Sequence, residues 1–344
     1  MVDRRILAID VGRGTQDVLL YDPEVPVENS VKLVLPSPTV VVGNAVREAA
    51  RSGRPIHLEG ACMGGGGSVL AVREAALAAG VRVTATPEAA LTVHDDPARV
   101  AAFGVEVADE APADAVTVRT GDYMVHELQT ALALFGVPYP ERVAIAVQDH
   151  GFSPKVSNRI FRFSVFQKLL EEGDWDLFAL APDPPYPPMS RMQAVLSGAP
   201  DALVTDTGPV AAIGALLDPW VAAQANADGV TLVNVGNGHT LAFTLRGTEV
   251  LGLFEHHTSS LDPARLNRFL GKLQDGTLTN EEVFEDGGHG AAVREAIGET
   301  PIAVTGPNRA RLLPDAYQAA PFGDMMLTGC FGLLEVWRRR RGKI

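Results

Sequence analysis

The segment Ile6-Leu7-Ala8-Ile9-Asp10-Val11-Gly12-Arg13-Gly14-Thr15-Gln16-Asp17-Val18 reads as an apolar strand, a tight glycine turn and a second strand. Asp10 closes the first strand. Gly12 and Gly14 allow a sharp turn and a close approach to a ligand with no Cβ in the way. Thr15 and Gln16 set a hydroxyl and an amide at the turn exit. Such a tip can cradle phosphate with backbone N–H groups while the acid faces a hydrated metal ion. One turn of this kind is common. The constraint comes from a second copy, Leu232-Val233-Asn234-Val235-Gly236-Asn237-Gly238-His239-Thr240-Leu241. Asn234 answers to Asp10, Gly236 to Gly12 and Gly238 to Gly14. Both copies run on into β-rich and then helical patterns. An internal repeat is a statement about architecture: two related halves, each offering a glycine hairpin, can clamp one polyphosphate.

With 344 residues there is room for two ordinary domains, expected at 1–217 and 218–344. A net charge of −13 argues against nucleic acid or an anionic membrane as the main partner. The arginine run 338–341 reads as a solvated helix end, favoured by the C-terminal dipole. The two cysteines, Cys62 and Cys330, are far apart and form no CxxC or three-cysteine cluster, so a reducing cytoplasm is expected and an iron–sulfur site is not. The first apolar run stops at Asp10, too short for a signal peptide, and no apolar stretch reaches membrane-spanning length.

Between the hairpins, residues 31–35 and 56–58 read as strands and 42–49 as a helix. The loop Gly64-Gly65-Gly66-Gly67 feeds a further helix; it can bind an anion or simply pack closely. His94-Asp95-Asp96-Pro97 fits a helix cap better than a metal site. Strand 143–147 runs into Gln148-Asp149-His150, polar residues placed to line a cleft. Residues 181–188 read as a proline-rich loop. Asp206 ends a strand where an N-cap of the following Ala-rich helix belongs. In the second half, strands are expected at 230–235, 240–245 and 250–254, with Glu255-His256-His257-Thr258 between the last strand and an amphipathic helix marked by Leu266, Phe269, Leu270 and Leu273. Adjacent histidines on an extended chain point to opposite sides. His256 and His257 are thus a poor pair of ligands for one ion, and fit substrate hydrogen bonding or an ordinary polar strand end better. Cys330 falls on the buried face of a C-terminal helix.

These motifs together resemble the superfamily of actin, the Hsp70 chaperones and the acetate and sugar kinases. Residues 10–16 resemble its first phosphate motif, 234–240 the second, and Val304-Thr305-Gly306-Pro307-Asn308 the adenosine-side glycine motif. The stretch 322–329 resembles the closing helix of its second domain. A closer resemblance is to an uncharacterised branch labelled as related to a pyruvate formate-lyase activating enzyme, carried by Glu255-His256-His257-Thr258 and Asp206-Thr207-Gly208-Pro209.

The resemblance implies an α/β fold of duplicated actin-like ATPase, ribonuclease H-like domains with ATP and Mg²⁺ in the interdomain cleft. Gly12, Arg13, Gly14, Thr15 and Gln16 would hold the phosphates from one side, and Gly236, Asn237, Gly238, His239 and Thr240 from the other. Asp10 would hold Mg²⁺ through water, and Gly306 and Asn308 would lie by the adenosine. In sugar kinases a catalytic aspartate precedes an Ala-rich helix upstream of the second loop. Asp206 takes that place and is assigned to accept a substrate hydroxyl proton. Asp149 is a further catalytic candidate, and His150, Glu255, His256 and His257 are substrate candidates.

The expected function is an ATP-dependent phosphotransferase acting on a small metabolite. A nucleotide-switched activator with slow hydrolysis is the alternative. A third reading is a non-ATP enzyme using His256, His257, Asp149 or Glu255. Neither a nucleic acid nor a membrane is expected as partner, and a homodimer stays open.

Overall fold

The computed structural model describes residues 4–342. Its strands are β1 (Ile6–Val11), β2 (Thr15–Tyr21), β3 (Val31–Pro36), β4 (Ile56–Gly60), β5 (Val83–Ala85), β6 (Val105–Val107), β7 (Val116–Thr120), β8 (Arg142–Val147), β9 (Leu203–Asp206), β10 (Val230–Val235), β11 (His239–Arg246), β12 (Glu249–His257), β13 (Gly290–Val293), β14 (Ile302–Thr305) and β15 (Tyr317–Gln318).

They build three sheets: β3-β2-β1-β8-β9, β13-β12-β11-β10-β14-β15 and β6-β5-β4-β7. The first two repeat one plan. Each starts with an antiparallel meander, then adds a parallel strand beside the first one, β8 beside β1 and β14 beside β10. Strand by strand, β3-β2-β1-β8-β9 matches β12-β11-β10-β14-β15, with β13 added at the outer edge. The fold is therefore α/β, with the duplicated ribonuclease H-like sheets that the actin-family resemblance implies. The third sheet, all parallel, is inserted between β3 and β8 and has its own apolar core around Val46, Ile56, Leu58 and Ala71.

Burial explains the strand assignments. In β1 every residue but Asp10 is buried, and in β10 every residue but Asn234. These are the two central strands, and apolar side chains on both faces are what a strand covered on both sides requires.

Between the sheets lie the helices that follow the last strand of each, Thr207–Ala215 and Thr328–Arg341. They cross in close contact. A Cβ on Gly214 would lie 1.8 Å from the Thr328 carbonyl oxygen, and one on Gly332 would lie 1.9 Å from that of Val210. Helix Thr328–Arg341 also packs on β1, and helix Thr207–Ala215 on β10, so each half contributes a helix to the other.

One expectation is corrected here. β12 does not stop at 254. It runs through Glu255, His256 and His257, because β11 pairs with it as far as His239↔His257 and β13 pairs with Glu255 at Gly290. The arginines 338–341 form the exposed last turn of their helix, as expected, and are paired as well. Arg340 donates to the carbonyls of Phe178 and Ala181, Arg341 binds Asp183 and the carbonyl of Ala202, and Arg339 pairs with Asp176. They fasten the last helix to the loop 176–183. Among the described residues, no helix is long and apolar enough to cross a membrane.

Candidate functional site

The two glycine hairpins carry the same hydrogen bond. Gly12 N–H donates to the Thr15 carbonyl at 2.9 Å, and Gly236 N–H to the His239 carbonyl at 3.0 Å. That carbonyl folds back over the glycine, leaving 3.1 Å to a Cβ on Gly12 and 2.9 Å on Gly236. Both amides are thus spent inside the turns, and neither is free to cradle an anion. Any anion contact falls to the tip residues between.

Those tips face each other. A Cβ on Gly14 would sit 2.8 Å from Asn237 Nδ2, and one on Gly238 would sit 3.2 Å from Arg13 Cδ. Behind the contact is a cavity of about 80 Å³, lined by Asp10, Gly12, Arg13, Thr15, Asp17, Asn234, Gly236, Asn237 and Gly306 among others. Asn308 Nδ2 donates to the Gly236 carbonyl at 3.1 Å and to Asn237 Oδ1 at 3.2 Å, so the third glycine turn braces the second hairpin. Gly306, at φ +93°, passes so close to β10 that its Cβ would lie 2.5 Å from the Val235 carbonyl oxygen. Gln16 and Thr240 line neither this cavity nor the larger one described below. Gln16 is buried and donates to the Pro36 carbonyl at 3.1 Å, while Thr240 is buried against Thr258 at 3.0 Å.

Two carboxylates meet at the base of the first hairpin. Asp10 and Asp17 are cross-strand partners. Asp10 Oδ1 and Asp17 Oδ1 are buried and have no hydrogen-bond partner. Burial pushes Asp10 up to about 7, with a hydrogen bond from Thr207 opposing and the charge of Asp206 adding. Burial pushes Asp17 up to about 8, and the charges of Asp10 and Asp324 add to it. Asp17 escaped the sequence reading. Its signal was there: in a hairpin closed between Gly12 and Thr15, the residue opposite Asp10 is fixed.

A larger cavity, about 500 Å³, opens on the other side of the tips and shares Gly12 and Arg13 with the small one. Its walls include the glycine loop 64–66, Gln148, Asp149, His150, Arg191, His239 and His257. The glycine loop packs on a guanidinium: a Cβ on Gly64 would lie 2.8 Å from Arg191. Arg191 in turn pairs with Asp122 and donates to the Gln148 carbonyl at 2.6 Å. The turn 94–97 is a cap as expected, Asp96 accepting from Ala98 N–H at 3.0 Å.

Asp206, Asp149 and Glu255 meet around a residue the sequence reading passed over. Arg162 is fully buried. It grips Asp206 through Nη1 at 2.6 Å and Nη2 at 3.0 Å, Glu255 through Nε at 2.6 Å, and the Asp149 carbonyl at 2.5 Å. Asp206 also caps its helix, accepting from Gly208 N–H at 3.0 Å. Glu255 accepts from Gln148 Nε2 at 2.8 Å. Burial, the largest influence, would raise the Glu255 pKa, but the charge and hydrogen bond of Arg162 together with the charges of His239 and His150 outweigh it and leave it below the usual range. Neither Asp206 nor Glu255 lines the larger cavity, and every carboxylate oxygen of the two is engaged. Their assignment to a proton acceptor and a substrate contact gives way to holding Arg162. The Asp149 oxygens accept from Gly151 and Met192 N–H, each at 2.8 Å, and burial pushes its pKa up to about 6. The signal for Arg162 was a lone arginine inside Ile160-Phe161-Arg162-Phe163.

The two histidines of β12 diverge as expected. His256 is buried on Asp286 at 3.1 Å, away from the cavity. His257 faces the cavity, its ring 4.9 Å from that of His239 and 4.8 Å from that of His289. Burial lowers the pKa of His150 to about 4 and holds His239, His257 and His289 below the ordinary histidine value. His289 was not foreseen; its local mark is the run Gly287-Gly288-His289-Gly290.

Residues 63–311 match the profile of a family described as a proposed pyruvate format-lyase activating enzyme (DUF1786). The chain belongs to this family. Both the first hairpin and the last helix lie outside the matched span. No curated protein matches the chain.

Among solved structures, the chain is similar to the ethanolamine utilization protein EutJ from Carboxydothermus hydrogenoformans, with 13% identity, 97% of this chain and 90% of that one covered, and a TM-score of 0.34. It is similar to the activator of 2-hydroxyisocaproyl-CoA dehydratase from Clostridium difficile with bound ADPNP, with 9% identity, 99% and 98% covered, and a TM-score of 0.34. A proposed sugar kinase from Cytophaga hutchinsonii shares 10% identity over 96% and 99% of the two chains, again with a TM-score of 0.34.

Proposed function

We propose that the protein binds ATP with Mg²⁺ between the two glycine hairpins and transfers a phosphoryl group to a small metabolite held in the larger cavity. One observation carries this reading. Half-buried Asp10 and buried Asp17, each with one buried, unpartnered oxygen, line a cavity walled by both hairpin tips. Acidic oxygens beside turns of two related halves are a donor set that suits a hydrated, hard cation carrying a polyphosphate. Mg²⁺ there would neutralise phosphate charge; the protein's part is placement and exclusion of water.

Asp10 and Asp17 would hold the cation, and Gly306 and Asn308 would flank the nucleoside. Arg13 lines both cavities, so its cationic side chain stands between donor and acceptor. A cavity of about 80 Å³ cannot take a nucleotide, since small-molecule pockets run to about 300–1,000 Å³. The tips must part for ATP to enter and close again behind it.

A nucleotide-switched activator is the second reading. It is favoured by the engagement of Asp206 with Arg162, which leaves the acceptor side without the aspartate base a sugar kinase uses. Radical activation through an iron–sulfur cluster, which the family description suggests, finds no support. Such clusters need several thiolates together, whereas Cys62 is on the larger cavity and Cys330 is buried against β1 and β2.

Thermal unfolding with ATP or ADP, with and without Mg²⁺, tests the shared premise. A ligand that binds the native state raises the melting temperature. The expected result is a Mg²⁺-dependent rise that Asp10→Asn abolishes. No rise with any nucleotide would sink both readings. Given a rise, ADP release that depends on an added metabolite supports phosphoryl transfer. ADP release at a slow rate, indifferent to metabolites, supports the activator.

A further inference from the structure

We infer that His150, His239 and His289 form a binding site for a borderline divalent transition-metal ion, Zn²⁺ being the best match, separate from the cation held by Asp10 and Asp17. Each ring offers one ligand nitrogen, and the three nitrogens lie within 4.8 Å of one another. Around a tetrahedral Zn²⁺ with bonds near 2.0–2.1 Å, neighbouring nitrogens stand roughly 3.4 Å apart. To reach that spacing, His150 Nε2 and His289 Nε2, hydrogen-bonded at 3.0 Å, would give up that bond to the ion, and the other nitrogens, all within 4.8 Å, would draw in.

The pattern of hydrogen bonds points the same way. His239 Nδ1 is taken by Gln148 Oε1 at 2.5 Å. Gln148 passes the contact on through its amide to Glu255 at 2.8 Å, and Glu255 is held by Arg162 at 2.6 Å. An amide oxygen can only accept, so the proton sits on Nδ1 and the lone pair on Nε2. That Nε2 is buried and has no partner. An orphaned ring nitrogen of this kind costs free energy in a purely structural histidine stack. An outer layer that fixes the tautomer and aims a lone pair is instead what metal-ligating histidines use.

The donor set selects the ion. Three imidazoles with no carboxylate among them suit Zn²⁺, Cu²⁺, Ni²⁺ or Fe²⁺, and do not suit Mg²⁺ or Ca²⁺. His150 and His239 line the larger cavity, so the remaining coordination position faces it. Three protein ligands with one open position is the layout of catalytic rather than purely structural zinc. The ligands also come from different places: His150 follows β8 of the first sheet, His239 opens β11 and His289 precedes β13 in the second. A bound ion would tie the two halves together beside the hairpin tips.

The test uses the full chain without a histidine tag, stripped with chelator and titrated with Co²⁺, then Zn²⁺, in the absence of nucleotide. Its outcome is therefore independent of the phosphotransferase reading. One Co²⁺ per chain is expected, with the intense visible absorption of a tetrahedral site, bleached by one Zn²⁺. His239→Ala and His289→Ala should each weaken binding at least 10-fold. His256→Ala, whose ring lies on Asp286, should leave it unchanged. Circular dichroism of the stripped variants checks that they fold, and His239→Gln replaces any that does not. Absence of stoichiometric binding by the wild-type chain would overturn the inference. So would stoichiometric binding that survives in a folded variant lacking both His239 and His289.

Discussion

Gly14 and Asn237 touch across the molecule: a Cβ on Gly14 would lie 2.8 Å from the Asn237 side-chain nitrogen. The halves of the chain meet here, tip to tip. Gly14→Val should wedge the tips apart and cost about 1–3 kcal/mol, the usual penalty for overpacking. Thermal unfolding of Gly14→Val, Asn237→Ala and the pair together gives the coupling. The double variant should recover most of the loss, because the side chain that clashes has gone. Strictly additive losses would mean that the tips do not meet in solution.

Gly329 lets the last helix pass over Asp10. A Cβ there would fall 1.9 Å from Asp10 Oδ2. At the helix crossing, Gly214 and Gly332 face backbone, which cannot swing aside. Alanine at Gly214 or Gly332 should cost about 2–4 kcal/mol in urea unfolding, at the upper end for overpacking because backbone must move. Gly271 is the control. It lies within helix Pro263–Gln274 with nothing within 4 Å, so Gly271→Ala should stabilise by about 0.5–1 kcal/mol.

Arg162 holds two buried carboxylates, Asp206 and Glu255. Removing it strands both charges. Arg162→Met should cost about 3–5 kcal/mol by urea unfolding. Adding Asp206→Asn and Glu255→Gln removes the stranded charge and should return part of that loss. A triple variant no better than Arg162→Met would show that shape, not charge, sets the cost.

Asp17 is a buried carboxylate with one oxygen unpartnered. Asp17→Asn should stabilise the ligand-free protein by about 1–3 kcal/mol, the usual cost of an unsatisfied buried group, while weakening Mg²⁺-dependent nucleotide binding. A variant less stable than wild type without ligand would assign Asp17 a structural role instead.

Cys62 gives a pH signature. Burial, then the negative charges of Asp122, Asp95 and Asp149, push its thiol from 9.0 up to about 12. Between those values the unfolded chain has lost the proton that the folded one keeps. The Cys62 contribution to stability is therefore fully present below pH 9 and is expected to be lost as pH rises from 9 towards 12. Cys62→Ala should flatten that part of the stability profile. An unchanged alkaline slope would place the titrating group elsewhere.

The hairpins were legible because everything that makes them is local: apolar runs, two glycines each and a fixed turn length. Asp206 was legible as a cap for the same reason. Its partner Arg162 was not, since 44 residues separate them and only the packing of helix Asn158–Glu172 brings them together. The reach of β12 through His257 was misjudged because cross-strand pairing with His239 extends it, not the propensity of Glu255-His256-His257. His289 was invisible as a site residue until the second sheet folded it against His150.

By itself the sequence determined the duplication, the places of the two turns and the carboxylate at the foot of the first. Those features need only neighbours a few residues apart, and chain stiffness and side-chain period dictate them. Tertiary structure alone decided which charges are spent on one another and which stay open to a ligand. Partner choice in the interior depends on which groups are buried together, and sheets and helices from both ends of the chain must pack before that is settled.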